Sequence, residues 1–192
     1  MVGGKPNPYT GGIFMFKNKL GLEKLTAKKL CILAMLTALT VVLAVYGTFR
    51  IGNVIKIPTK FITVFISAAL YGPIWGGVVA AIGDLLNSFL MPVGPWLPQI
   101  TVVEFLCGFM FGLFFYKRAA RYLLRTVLCA LVLTALDIVL MSLLLTQVGY
   151  FPSFAAAVSI RALASAVKCA LYIVVCLLLK KYLVSFERLM NK

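Results

Sequence analysis

Residues 71–98, with the sequence YGPIWGGVVAAIGDLLNSFLMPVGPWLP, decide how the rest of the chain is interpreted. The segment begins with a Gly-Pro turn, continues as an apolar stretch of membrane-helix length, and ends in a loop that contains three prolines. Its single acid, Asp84, lies within the apolar stretch. Because a carboxylate in hydrocarbon is costly, an acid at this place indicates a functional site that faces a polar cavity.

The composition indicates a membrane protein. Of the 192 residues, 62% are hydrophobic and only 12% are charged, whereas about a quarter of the residues in a soluble domain are charged. Polar connections divide the apolar segments, and the pattern predicts an all-α integral membrane protein with a bundle of six transmembrane helices. The predicted helices cover residues 30–49, 61–71, 74–91, 100–116, 126–147 and 154–182, the second being short and tilted or partly re-entrant.

The positions of the 19 lysines and arginines orient this bundle. With the N-terminus inside, the cytoplasmic segments hold fourteen of them, and the outer connection holds only Arg50, Lys56 and Lys60. This excess predicts that both termini are cytoplasmic. We therefore expect a cytoplasmic segment at 1–29, one membrane domain at 30–183 and a cytoplasmic tail at 184–192.

Several functions are disfavoured by what the sequence lacks. There is no histidine, and the five cysteines lie in apolar stretches without a CxxC pair, so neither a metal site nor a Cys/His or Ser/His catalytic pair is expected. The chain has no phosphate-loop motif, so it is not expected to hydrolyse ATP. The basic residues cluster at helix ends rather than among stacking aromatics, so we expect no nucleic-acid partner. We predict neither an enzyme nor a bound cofactor.

The charged residues inside the predicted helices are the main candidates for a binding site. Asp84, Glu104 and Arg161 are predicted at similar depth below the outer surface, while Asp137 and Lys168 lie deeper. This arrangement predicts a polar pocket that opens outward. The alternative is a set of structural ion pairs, for example Asp84 or Glu104 with Arg161, and Asp137 with Lys168.

The outer loops add further candidates. Trp96, between Pro95 and Pro98, could contact a flat ligand, although tryptophan near a helix end is often an interface anchor. Cations near the mouth would suit an anionic tail. The candidate substrate-binding residues are Asp84, Asn87, Trp96, Gln99, Glu104, Arg161 and Lys168, together with Lys56 and Lys60.

Three segments carry a resemblance to a known family. LYGPIWGGVVAAIGDLLN, MPVGPWLPQIT and GFMFGLFFYKR resemble the substrate-binding S component of energy-coupling factor (ECF) vitamin transporters, and the folate group in particular. The resemblance covers about residues 30–183. The AMLTAL stretch, which holds Ala34 and Ala38, is similar to the alanine motif on the first helix of S components. From spacing alone, these two alanines could equally pack inside the bundle.

The resemblance implies a bacterial plasma-membrane protein that binds a vitamin, such as folate, with high affinity from the outside. The Ala34/Ala38 face would dock on a membrane coupling subunit, and two ATPase subunits would supply energy as the S component topples in the membrane. Residues 50–60 and 92–98 would act as gates.

For folate, Asp84 or Glu104 would accept hydrogen bonds from the pterin edge while Trp96 stacks on the ring. Lys56, Lys60 or Arg161 would bind the glutamate tail.

The chain departs from the folate pattern at two places. Val103-Glu104-Phe105-Leu106 stands where many folate-group sequences have S-A-F-L, and helix six reads VSIRALASAVK. The additional acid could favour another vitamin, such as a thiamine precursor or a pyridoxine-like compound. Two alternatives from other classes are a proton-coupled secondary transporter that uses Asp84 or Asp137, and a membrane scaffold whose charges are structural.

Overall fold

The computed structural model describes residues 26–51, 55–91, 97–116, 122–147, 149 and 154–190. Within these ranges the chain forms six α-helices and one two-stranded antiparallel hairpin. The elements in order are α1 (Ala27–Tyr46), β1 (Thr48–Ile51), β2 (Ile55–Pro58), α2 (Phe61–Tyr71), α3 (Pro73–Leu90), α4 (Pro98–Phe115), α5 (Tyr122–Gln147) and α6 (Phe154–Met190).

The helices have the length and composition of a membrane protein. Four of them, α1, α3, α4 and α5, contain stretches long and apolar enough to cross a bilayer. Helix α2 and the segment Ser165–Leu179 of α6 are apolar but shorter. The prediction of a helical membrane protein is confirmed, whereas six crossings and two cytoplasmic termini stay predictions.

The hairpin lies where the sequence indicated only a polar connection between helices. Its register runs from Thr48 opposite Pro58 to Ile51 opposite Ile55. Isoleucine and threonine favour a pleated strand, and Gly47 ends α1 just before the hairpin begins. Helix α1 therefore stops three residues earlier than predicted, and a hairpin of two four-residue strands accompanies the helices.

Other helix ends also differ from the predicted bounds; α5, for example, begins at Tyr122 rather than at residue 126. Helix α1 begins at Ala27 because the Thr26 side chain accepts a hydrogen bond from the Lys29 amide. Helix α6 continues to Met190, past the predicted end at residue 182. Hydropathy marks where the apolar part of a helix ends, but lysine, arginine and glutamate continue a helix equally well.

Small residues bring α3 and α4 together. Gly72 turns the chain with φ 102°, and Pro73 occupies the first turn of α3. A Cβ on Gly108 would collide with the backbone of Gly76, and one on Gly112 would collide with Pro73. Close helix contact through small residues is typical of membrane bundles. It holds the acid of α3 beside that of α4.

Helix α2 lies at the centre of the bundle. Phe65 is fully buried and packs edge-to-face on Phe111 at 5.6 Å and Phe115 at 4.9 Å between ring centroids. Burial of α2 carries Lys60, the residue just before the helix, into the interior.

Helix α1 packs on the bundle by one face only. Thr40 is buried, and its Oγ1 lies 2.8 Å from Thr63 Oγ1. Its methyl group occupies the space that a side chain at Gly83 would fill. On the other face Ala34 and Ala38 are exposed, as is Met35. The two alanines therefore do not pack inside the bundle of this chain.

Candidate functional site

A cavity with charged and aromatic walls lies between α2, α4, α5 and α6. Helical spacing explains its lining, because residues three, four or seven apart share one helix face. Glu104, Cys107 and Phe111 face it from α4. The complete lining is Lys60, Phe61, Val64, Val103, Glu104, Cys107, Phe111, Leu133, Asp137, Lys168 and Tyr172.

Lys60 bonds two acids at one end of the cavity. Its Nζ lies 2.9 Å from Glu104 Oε1 and 3.2 Å from Asp84 Oδ1. Thr101 Oγ1 donates to the other oxygen of Asp84, Oδ2, at 3.1 Å. The side chains of Lys60 and Asp84 are 13% and 10% exposed, whereas that of Glu104 is 25% exposed. Asp84 is therefore enclosed behind Lys60, and Glu104 borders the open space.

The environment of Lys60 favours its charged form. Lys60 lies just before α2, outside the apolar helices. Burial lowers the pKa of its ammonium, but the nearby charges and hydrogen bonds of Glu104 and Asp84 outweigh this effect and raise the pKa above its ordinary value. Lys60 is therefore a cation at physiological pH.

A second ion pair borders the cavity on the side of α5 and α6. Lys168 Nζ donates to Asp137 Oδ2 at 3.1 Å. These side chains are 18% and 21% exposed. The sequence-based pairing of Asp137 with Lys168 is confirmed.

Aromatic side chains form the apolar walls. The rings of Phe61 and Tyr172 meet edge-to-face at 4.7 Å, and Phe111 meets Tyr172 at 5.9 Å. Aromatic faces beside fixed charges suit a planar ligand with polar edges. The lining therefore combines an aromatic surface with charged hydrogen-bonding groups, a chemistry that suits a flat heterocycle.

The structure brings together four of the predicted site residues and the acid that partners one of them. Lys60, Asp84 and Glu104 form one cluster, and Lys168 with Asp137 forms the other. The sequence suggests Arg161 as the partner of Asp84 or Glu104, and Lys60 as one of the cations that would bind an anionic tail. The structure bonds both acids to Lys60, because α2 begins at the next residue and is buried centrally.

The remaining predicted residues lie elsewhere. Asn87 is half-buried on α3, Gln99 is exposed at the start of α4, and neither lines the cavity. Trp96 lies outside the described residues, and so do the side chains of Lys56 on β2 and Arg161 on α6. Their roles stay predictions.

Two residues near the charged cluster were not predicted from the sequence, Tyr172 and Thr101. Tyr172 follows Lys168 by one helical turn, so its place on the same face could have been found from spacing. Thr101 is far from Asp84 in sequence, and only the close packing of α3 on α4 brings their side chains together. In the described ranges no three His, Cys, Asp or Glu side chains are grouped to hold a metal ion.

Comparison with known proteins identifies related chains. Residues 28–180 match the family described as ECF transporter, substrate-specific component. Similar relatives include three proteins named Folate transporter FolT. The protein of Clostridium novyi is 34% identical over 65 residues, covering 34% of this chain and 38% of its own length. That of Leuconostoc mesenteroides is 30% identical over 145 residues, covering 72% and 76%.

The third relative, from Streptococcus mutans, is 30% identical over 108 residues, covering 56% of each chain. Of the three alignments, two cover less than two thirds of the relative's length. Among solved structures, one described as "Crystal structure of FolT bound with folic acid" superimposes with a TM-score of 0.73 and 24% identity. The match covers 82% of this chain and 95% of that chain. The two chains share a fold.

Proposed function

We propose, because this chain belongs to the family of substrate-specific components of ECF transporters, that it is the folate-binding subunit of such an importer. The choice of folate rests on the relatives, which are named as folate transporters. In this proposal the chain binds folate or a reduced folate with high affinity and catalyses no reaction itself. Two partner ATPase subunits hydrolyse the ATP.

One observation carries the proposal: the cavity places aromatic walls beside ion-paired acids. A pterin is a planar ring with an edge of N–H donors, and a carboxylate can accept from two of them at once. Tyr172 and Phe111 provide aromatic walls, and Glu104 and Asp137 provide carboxylates. A site of this composition suits the head of a folate.

The proposed topology is multi-pass in a bacterial plasma membrane, with both termini cytoplasmic and the cavity open to the outside. Residues 30–183 form the binding domain, flanked by cytoplasmic segments at 1–29 and 184–192. Helix α2 has 11 residues, so it is about 16 Å long and too short to cross hydrocarbon about 30 Å thick. In this proposal α2 is tilted or partly re-entrant, and the hairpin that precedes it lies in the outer connection.

The proposed docking surface is the exposed face of α1 around Ala34 and Ala38. These small residues permit close approach by a helix of the membrane coupling subunit. Both are exposed, so the face is available to a partner. In this proposal the chain topples while docked and carries its site to the cytoplasm, and the hairpin and residues 92–98 open and close the cavity.

The remaining roles are assigned to predicted site residues other than the lysines that already bond acids. Lys60 and Lys168 already bond acids, so the glutamate tail of folate would bind Lys56 and Arg161. Trp96 would stack on the pterin from the loop at residues 92–98. Asn87 and Gln99 would contact the ligand near the outer mouth.

Mass spectrometry of small molecules that co-purify with the solubilised protein tests the proposal. Recovery of a folate is the expected result. A parallel thermal-unfolding assay with a panel of vitamins should show stabilisation by folates, of about 2.7 kcal/mol at 100 times the dissociation constant. No co-purified folate and no stabilisation by any folate would contradict the proposal.

Another vitamin is the second candidate, and Glu104 is the observation that favours it. A carboxylate at a site where many folate-group sequences have a small residue could bind an amine-bearing ligand, such as a thiamine precursor or a pyridoxine-like compound. Stabilisation by one of these, without stabilisation by folates, would support this candidate.

Two candidates from other classes are tested by uptake. A proton-coupled transporter would accumulate substrate in vesicles that lack any ATPase. A scaffold would bind no vitamin at all.

A further inference from the structure

The two acids that bond Lys60 differ in how many of their oxygens are used. Asp84 uses both, one with Lys60 and the other with Thr101. Its side chain is 10% exposed, and it is not among the residues that line the cavity. Because Asp84 is enclosed and does not line the cavity, it presents neither oxygen to a ligand there.

Glu104 is arranged differently. Its Oε1 bonds Lys60 at 2.9 Å, while its Oε2 has no hydrogen bond to any described residue. Its side chain is 25% exposed and lines the cavity. A carboxylate oxygen can accept two hydrogen bonds, so Oε2 and the second lone pair of Oε1 are available.

The charge balance at this end of the cavity also favours Glu104 as an acceptor for a ligand. One ammonium, that of Lys60, serves two carboxylates. Among the described side chains of this cluster, one negative charge therefore has no cation of its own. Because a charge removed from water needs hydrogen bonds, a ligand that brings N–H donors to Glu104 compensates for its desolvation.

The neighbouring walls set the shape of that ligand. Phe111 lies two helical turns after Glu104 on the same face of α4, and its ring meets that of Tyr172 at 5.9 Å. A planar ring that packs against this aromatic wall can present its edge to the carboxylate. Two adjacent donors on that edge would match the two carboxylate oxygens.

We infer that Glu104 is the specificity-determining residue of the site, accepting paired N–H donors from the edge of a planar heterocycle, and that Asp84 positions Lys60. This inference rests on the proposed function, in which the heterocycle is the pterin of folate. The donors are then the 2-amino group and the neighbouring ring N–H.

The test compares folate with an analogue in which methyl replaces the 2-amino group. Dissociation constants are measured on the full-length protein in lipid nanodiscs by competition with radiolabelled folate. Because a hydrogen bond to a carboxylate is strong, wild-type protein should bind the analogue about 10- to 100-fold more weakly than folate. Equal affinity for the two ligands would overturn the inference, and this measurement needs no variant.

Two variants separate the acids. Glu104→Gln should weaken folate binding by about 10- to 100-fold and leave the analogue nearly unaffected, so that discrimination disappears. Asp84→Asn should lower the melting temperature and still prefer folate over the analogue. Loss of discrimination in Asp84→Asn, with discrimination retained in Glu104→Gln, would overturn the assignment of roles.

The outcomes distinguish this inference from the proposed function. Wild-type protein that binds no folate contradicts the proposed function. Wild-type protein that binds folate and its 2-methyl analogue equally well contradicts only the role of Glu104.

Discussion

Removal of Lys60 should destabilise the empty protein, because it leaves two acids without their cation. Lys60→Met removes the bonds of 2.9 Å to Glu104 and 3.2 Å to Asp84, and it keeps most of the side-chain volume. Breaking a buried ion pair by deleting one partner costs about 3–5 kcal/mol. Since the Glu104 side chain is 25% exposed and partly solvated, we expect the lower end, about 3 kcal/mol.

The assay is thermal unfolding of the ligand-free, full-length protein in detergent. For a chain of this size, each kcal/mol changes the melting temperature by about 2–4 °C. Lys60→Met should therefore melt about 6–12 °C below wild type. Lys28→Met is the matched control, because Lys28 is exposed on α1 and its loss should cost no more than about 0.5 kcal/mol.

A triple variant tests the cause of the loss. Lys60→Met combined with Asp84→Asn and Glu104→Gln removes the cation and both negative charges together. Because no uncompensated buried charge then remains, most of the lost stability should return. The reasoning is refuted if Lys60→Met melts at the wild-type temperature, or if the triple variant is as unstable as the single one.

Three further predictions concern packing, docking and ligand contact. Gly108→Ala should destabilise the protein by about 1–3 kcal/mol in thermal unfolding, because the new methyl group meets the backbone of Gly76. Ala38→Trp should leave the dissociation constant for folate unchanged but abolish ATP-dependent uptake, because the exposed α1 face can no longer approach the coupling subunit. Tyr172→Leu should weaken folate binding about 3- to 10-fold in the competition assay, because an aromatic wall is lost.

Each of these predictions has its own control. Val102 is 58% exposed on α4, so Val102→Ala should leave the melting temperature unchanged. If Val102→Ala lowered the melting temperature as much as Gly108→Ala does, close packing at Gly108 would not explain the loss. Met35 lies on the same exposed face of α1, and Met35→Ala should retain uptake. Normal uptake by Ala38→Trp would contradict the proposal that this face docks on the coupling subunit. Tyr172→Phe should bind folate as tightly as wild type, because the ring remains.

The charged interior and the family could be predicted, because charged residues within apolar segments and short motifs are visible in the local sequence. Acids inside apolar segments indicated a polar interior, and the family resemblance that began at residues 71–98 is confirmed by the match over residues 28–180. The ion pair of Asp137 with Lys168, which the sequence suggested as an alternative to a ligand-binding role, is present at 3.1 Å. Opposite charges within a membrane bundle have few alternatives to pairing with each other.

The partners of Lys60 could not be predicted in the same way. Sequence placed Lys60 in a loop near the mouth, where an exposed cation would meet an anionic tail. The structure buries α2, with Phe65 fully enclosed, and so moves Lys60 inward to Asp84 and Glu104. Burial of this 11-residue helix depends on how the other helices pack around it, and the local sequence does not show that packing.

The sequence by itself determined the membrane class, the helical character and the family, because hydropathy and short motifs are properties of neighbouring residues. Only the tertiary structure decided which acid faces the cavity. Asp84 and Glu104 are the same kind of group in similar apolar helices, and they differ because the close contact of α3 with α4 gives Asp84 a second donor, Thr101. That contact depends on backbone approach at Gly76 and Gly108, which exists only after the helices have packed.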